Sequence, residues 1–152
     1  MLSPFLQTLI MGMTPVVELR GAIPFGLALG MDPVSCYIAA VIGNCIPIPF
    51  IILFIEHVFH LMRKMSPKFG ALVDKLEQRA EEKSDVVHKY AFWGLVILVA
   101  IPLPGTGAWT GSLVAALMNI PLRKSAPPCV LGVLIAGIVV MAISTGVIAI
   151  VT

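Results

Sequence analysis

Apolar residues run along this chain in four blocks, and only two of them have the length of a simple membrane helix. Val34 to Ile55 is 22 residues without a charge, about 33 Å as a helix, against a bilayer core of about 30 Å. Ala126 to Val151 is equally free of charge and opens at Pro127-Pro128, a pair suited to the first turn of a helix and not to its interior. Both predict full spans. Between Lys89 and Arg123 lie 33 uncharged residues, about 50 Å as one helix, interrupted by Ile101-Pro-Leu-Pro-Gly-Thr-Gly107. That is too long for one span and too short for two. It predicts a re-entrant hairpin, two half-helices that enter and leave on one side with the irregular tip against protein or a wet cavity. The N-terminal block predicts the same shape, with a half-helix from about Ser3 to Met13, a break at Thr14-Pro15 and a return from about Ala22 to Met31. The first seventeen residues lack a basic n-region and a small-residue cleavage site, so they are expected to remain in the mature chain.

Composition agrees with a membrane protein: 59% of residues are hydrophobic, 12% are charged and the mean hydropathy is +1.01, where soluble domains carry about 25% charged residues. Thirteen Gly and twelve Pro fall within the apolar blocks as well as between them, which predicts interrupted helices more than a plain bundle. Cys36, Cys45 and Cys129 are odd in number, widely spaced and apolar in context, so packed thiols are expected and no disulfide framework.

Positive charge sets the expected orientation. If Glu56 to Lys89 is cytoplasmic, a second hairpin returns Arg123 and Lys124 to that side, and nine of the ten Lys and Arg residues face the cytoplasm. The tenth is Arg20. Both termini are then expected outside a cytoplasmic (inner) membrane.

The order of hairpin then span occurs twice, with faint identities. Pro15 matches Pro104 and Gly43 matches Gly132 at an offset of 89, while Ala28-Leu29 and Pro33 match Ala116-Leu117 and Pro121 at 88. The expected fold is an all-α integral membrane protein, one domain over residues 1–152 made of two inverted-topology repeats, about 1–56 and about 85–152. A cytoplasmic amphipathic connector, about 57–84, joins them. In it Ser66-Pro67 starts a helix, Phe69, Leu72, Val73, Leu76 and Ala80 form the apolar stripe, and Lys68, Lys75, Arg79 and Lys83 take other faces, so the helix is expected along the membrane surface. Ser84-Asp85 reads as a fresh helix start.

Glu18-Leu-Arg20 places two charges inside an apolar block, where each costs about 2.5 to 3.5 kcal/mol at the bilayer centre on insertion scales. Two readings stand. Either an ion pair holds the hairpin together, or Arg20 binds an anionic headgroup or phosphate and Glu18 carries a coupling proton. Pro102, Pro104, Gly105, Thr106 and Gly107 form the second tip, followed by Trp109, Thr110 and Gly111. A half-helix N-terminus there favours an anion, and the glycines equally permit close packing. Asn44, with Pro47 and Pro49, interrupts the first span and offers an amide at membrane depth. Asp32 is expected to cap a helix. His57 and His60 lack a third ligand at metal spacing, so no metal is expected. No nucleophile with its base, phosphate-binding Gly loop or nucleic-acid signature is present, which predicts no enzyme, no cofactor and no nucleic-acid partner.

Thr14-Pro-Val-Val-Glu-Leu-Arg-Gly-Ala-Ile-Pro24 and Ile101-Pro-Leu-Pro-Gly-Thr-Gly-Ala-Trp-Thr-Gly111 resemble the paired signatures of the small multidrug export protein family over nearly the whole chain. That family is similar to the wider DedA superfamily. The resemblance implies two facing re-entrant hairpins and a transport or lipid-translocation role, and its first signature adds Gly21 and Pro24 to the candidate site residues. DedA proteins typically carry acidic and Arg residues in both halves, whereas the second tip here is uncharged.

Three functions follow as expectations. The first is a transporter of a small or amphipathic solute, proton- or ion-coupled, with a midplane site between the hairpins. The second is a translocase for a lipid phosphate, polyprenyl-phosphate or phospholipid, held by Arg20 and the second tip. The third is a structural or assembly membrane protein. The expected partners are membrane lipids, a small-molecule or lipid substrate, a coupling proton or ion, and a second copy of the chain to shield the hairpins.

Overall fold

The computed structural model describes every residue except Lys83 and Pro104, and its described elements are all helical. Helix α1, Pro4–Met13, starts where Ser3 Oγ accepts the Leu6 N–H at 3.3 Å, with Pro4 in the first turn. Helix α2, Glu18–Ala28, begins four residues earlier than the expected return at Ala22. The reason is local. Val16 and Glu18 take left-handed conformations, φ +76° and +50°, which reverse the chain within a few residues of Thr14 and put both charges into the first turn of α2.

Helices α3, Pro33–Cys45, and α4, Pro47–Met65, form one 33-residue apolar segment long enough to cross a membrane. Asp32 caps it by accepting the Ser35 N–H at 2.9 Å, and that hydrogen bond holds the carboxyl below its ordinary pKa. The segment breaks at Ile46 because Pro47 and Pro49 have no N–H to give to the preceding turn. It also runs ten residues beyond the expected end at Ile55.

Helix α5, Pro67–Glu82, follows an extended Ser66 whose Oγ accepts the Lys68 N–H at 3.3 Å. Val73 is buried, while Phe69 and Leu72 are exposed. Lys83 lies outside the described residues, and of Leu76, Arg79 and Ala80 only the helical backbone is described. Arg63 ties α5 to α4 through Asp74 at 2.9 Å and Glu77 at 2.6 Å, exposed pairs that contribute little to stability. Helix α6 is Ser84–Ala100 and α7 is Ala108–Leu117.

Helix α8, Leu122–Val151, is the second segment long enough to span, and it starts before the expected Ala126. The Pro121 carbonyl accepts the N–H groups of Lys124 and Ser125 at 2.9 and 3.0 Å, so the basic pair enters the first turn. Pro127 and Pro128 then lie in the second turn, not the first. They leave only the Arg123 and Lys124 carbonyls without helical donors, at the charged end of the molecule.

Helix α1 packs along α3 and α6 along α8, while α2 lies against α8 and α7 against α4. Small residues set these distances. A Cβ on Gly43 would collide with the Leu9 carbonyl, and one on Gly132 would lie 2.6 Å from Val99 Cβ and 3.0 Å from the Val96 carbonyl. The buried core is correspondingly small-residue rich, with Ala22, Cys36, Ala40, Ala108, Cys129 and Ala136 beside Leu19, Ile23, Ile48 and Val133. Large apolar side chains face outwards instead, among them Phe50, Phe54, Ile138, Ile143 and Val147, as a lipid-facing surface requires.

Two helix ends share one design. Gly30, φ +81°, and Asn119, φ +55°, are left-handed residues that close α2 and α7. Their N–H groups donate to the Leu27 and Ala116 carbonyls, and those of Met31 and Ile120 to Gly26 and Ala115. Each pair stands 89 residues apart.

Gly43→Ala and Gly132→Ala are each expected to lower the thermal midpoint in detergent, by the about 1–3 kcal/mol of an overpacked core or more. Gly146→Ala, where a Cβ meets nothing within 4 Å, is expected to be neutral or slightly stabilising.

Candidate functional site

Four broken helix ends meet where the α1–α2 turn faces the α6–α7 loop, and the two segments satisfy each other there. The first residue of α7 follows Gly107, φ +120°, which has no side chain to cap the helix. The cap comes from the other hairpin: Glu18, 3% exposed, accepts the Trp109 N–H at 3.0 Å through Oε1. A carboxylate at a helix N-terminus also meets the positive end of the helix dipole. A Cβ on Gly107 would lie on Glu18 Oε2, so the glycine makes room for the carboxylate.

Arg20 serves the opposite polarity. Its guanidinium donates from Nη1 to the Leu103 carbonyl, and from Nη2 to the Thr106 carbonyl and to Thr106 Oγ1, the last at 2.8 Å. Thr106 folds the loop on itself. Its single hydroxyl proton is shared between the Ile101 and Leu103 carbonyls at 2.6 and 2.7 Å. Trp109 completes the exchange, its indole Nε1–H donating to the Met13 carbonyl at the end of α1, 3.1 Å away. Among the described residues Glu18 and Arg20 form no ion pair, with each other or with another side chain. Each charge instead caps backbone of the opposite hairpin.

A cavity of about 460 Å³ opens between the two tips, lined by Pro15, Val16, Glu18 and Arg20 from one side and Pro102, Gly105, Thr106, Trp109 and Thr110 from the other. Of the sequence candidates, Glu18, Arg20, Pro102, Gly105, Thr106, Gly107 and Trp109 thus gather here. Pro104 lies outside the described residues. Gly21 faces Val17 within its own helix, and Pro24 is exposed on α2, so neither lines the cavity. Asn44 is buried in α3, and its Oδ1 has no hydrogen-bond partner among the described residues. It also stands apart from the cavity.

The residues that sequence reasoning missed are mostly backbone acceptors. The carbonyls of Met13 and Leu103 carry no signal of their role in the residue type. Val16 is a cavity wall and a left-handed turn residue, and a β-branched side chain gives no hint of that conformation.

Glu18→Ala is expected to remove the cap on α7 at about 0.5–2 kcal/mol, seen as faster hydrogen exchange of the Trp109 amide. The amides of the mid-α8 core are expected to exchange as in the wild type.

A family model described as "Putative small multi-drug export protein" matches residues 18–139. No curated protein and no solved structure matches the chain.

Proposed function

The chain belongs to the small multi-drug export protein family, and we propose that it is an integral membrane exporter of small or amphipathic solutes. Its working site in this reading is the cavity between two facing re-entrant hairpins, α1–α2 and α6–α7. The observation that carries it is the mutual capping of the tips by Glu18, Arg20 and Trp109 across that cavity.

A recurring backbone pattern supports the reading, which takes it as the trace of an inverted duplication. Left-handed residues recur at 16, 18 and 30 and again at 105, 107 and 119, each pair 89 residues apart, the interval that also relates Gly43 to Gly132. The paired elements pack alike, α1 on α3 as α6 on α8. Under this reading the two hairpins open towards opposite faces of the membrane. The basic end, with Arg63, Lys64, Arg123 and Lys124, faces the cytoplasm, and both termini lie outside. The broader resemblance to the DedA superfamily belongs to the same proposal, as does a second copy of the chain covering the lipid-exposed hairpins.

Mechanistically, the caps are polar and reversible, unlike the close-packed helix pairs around them. Opening the cavity to either side separates the tips and leaves the α7 N-terminus, the α1 C-terminus and the 103–106 loop in need of partners. A solute, or a proton taken by the Glu18 carboxylate, changes that balance and so couples occupancy to opening. Arg20 is already held by Leu103 and Thr106 while the tips are closed, which favours an amphipathic solute over a captured lipid phosphate.

The test uses everted membrane vesicles energised with a proton gradient and a panel of amphipathic dyes. At least one dye is expected to accumulate several-fold above vesicles lacking the protein. Glu18→Gln, inserted at wild-type level, is expected to fall to background. No protein-dependent uptake of any dye, or undiminished uptake by Glu18→Gln, contradicts the reading.

A further inference from the structure

Two adjoining cavities lie along the second half of α4, away from the hairpin tips. One, about 450 Å³, sits between α4, α5 and the end of α7, with His57, His60 and Arg63 on its wall. The other, about 300 Å³, sits between α4 and the α7–α8 turn, walled by Ile52, Leu53, Ile120 and Leu122. Glu56, Ala116 and Asn119 belong to both. They therefore form one groove with a polar end, an apolar end and the Glu56 carboxylate at the junction, in the size range of small-molecule sites.

The charge of the groove is settled by its pairings. Arg63 is more than balanced by Asp74 and Glu77 at 2.9 and 2.6 Å, so it leaves no free positive charge in the groove. Among the described residues no hydrogen bond or ion pair occupies Glu56. Helix α7 also ends here, at Leu117, and a helix C-terminus carries partial negative charge. Glu56 is exposed to solvent on the groove wall, and a carboxylate without a protein partner, beside a negative dipole end and apolar walls, suits a cation that is otherwise apolar.

The molecule contains its own control. At its opposite end a groove between α3 and α8 is lined by Pro33, Val34, Met141, Ala142 and Thr145. A shift of 89 residues carries Ile52, Leu53 and Glu56 onto Met141, Ala142 and Thr145. Thr145 donates its hydroxyl to the Met141 carbonyl of its own helix at 2.8 Å, so this second groove is uncharged. Among the described residues a carboxylate on the groove wall is thus found only at the Glu56 end, while Asp32, just before Pro33, is engaged in capping α3 through Ser35.

We propose that the Glu56 groove is a binding site for a monovalent amphipathic organic cation, whose charged centre meets Glu56 and whose apolar groups lie against Ile52 and Ile120. The site is separate from the tip cavity and does not depend on the export reading.

Equilibrium binding to the purified full chain in lipid nanodiscs tests it, with tetraphenylphosphonium as the probe and tetraphenylborate as the anion of the same shape. Tetraphenylphosphonium is expected to bind saturably and tetraphenylborate not. Glu56→Gln is expected to weaken the cation by about tenfold or more, with Glu56→Asp in between. Hydrogen exchange on the wild type supplies a second readout that does not depend on any variant folding: the cation is expected to protect amides near 52–58 and 116–122. Wild-type affinity in Glu56→Gln, equal binding of tetraphenylborate, or protection confined to the hairpin tips overturns the proposal. Since no transport is measured, a failure of the export reading leaves the result unchanged.

Discussion

A helix that stops inside an apolar interior leaves up to four N–H or C=O groups without partners, and water is not there to take them. This chain brings four such ends together, those of α1, α2, α6 and α7, and most of its unusual residues follow from that. Glu18 answers the N–H groups of α7, Arg20 the carbonyls of the 103–106 loop and the Trp109 indole the last carbonyl of α1. Each unanswered group would cost about 1–3 kcal/mol. The cost of drawing two charges away from water is therefore offset by backbone groups that need them, and Gly107 on the facing loop leaves room for both.

The rest of the architecture keeps those ends in register. Gly43 and Gly132 allow α1 and α6 to lie close against the long helices, and left-handed residues at 30 and 119 close α2 and α7 in the same manner. Close-packed helix pairs thus meet at a junction held by hydrogen bonds. A cavity of about 460 Å³ lies at that junction.

Much of this was legible in the residues, because chain breaks are written in Pro and Gly. The half-helix ending at Met13, the irregular stretch from Ile101 to Gly107 and the interruption at Pro47 could all be read from the composition of the apolar blocks. The start of α8 could not. Arg123 and Lys124 look like the end of an apolar block, yet basic residues at the edge of a membrane fit the first turn of a helix that carries on inwards. The start of α2 was hidden by Val16, whose left-handed conformation runs against its preference. The charges could be picked out as anomalous within an apolar block, but their partners could not. Trp109 and Glu18 are 91 residues apart, and a Met13 carbonyl has no signature at all.

Glu18 and Arg20 bridge the two tips by hydrogen bonds to backbone and to Thr106. Spin labels at Val16 and Leu103, in a cysteine-free background, read the separation of the tips by dipolar broadening. One short, narrowly distributed distance is expected in the native chain, and a longer, broader one when Glu18 and Arg20 are both replaced by Ala. An unchanged distance in that double variant would contradict that bridging role.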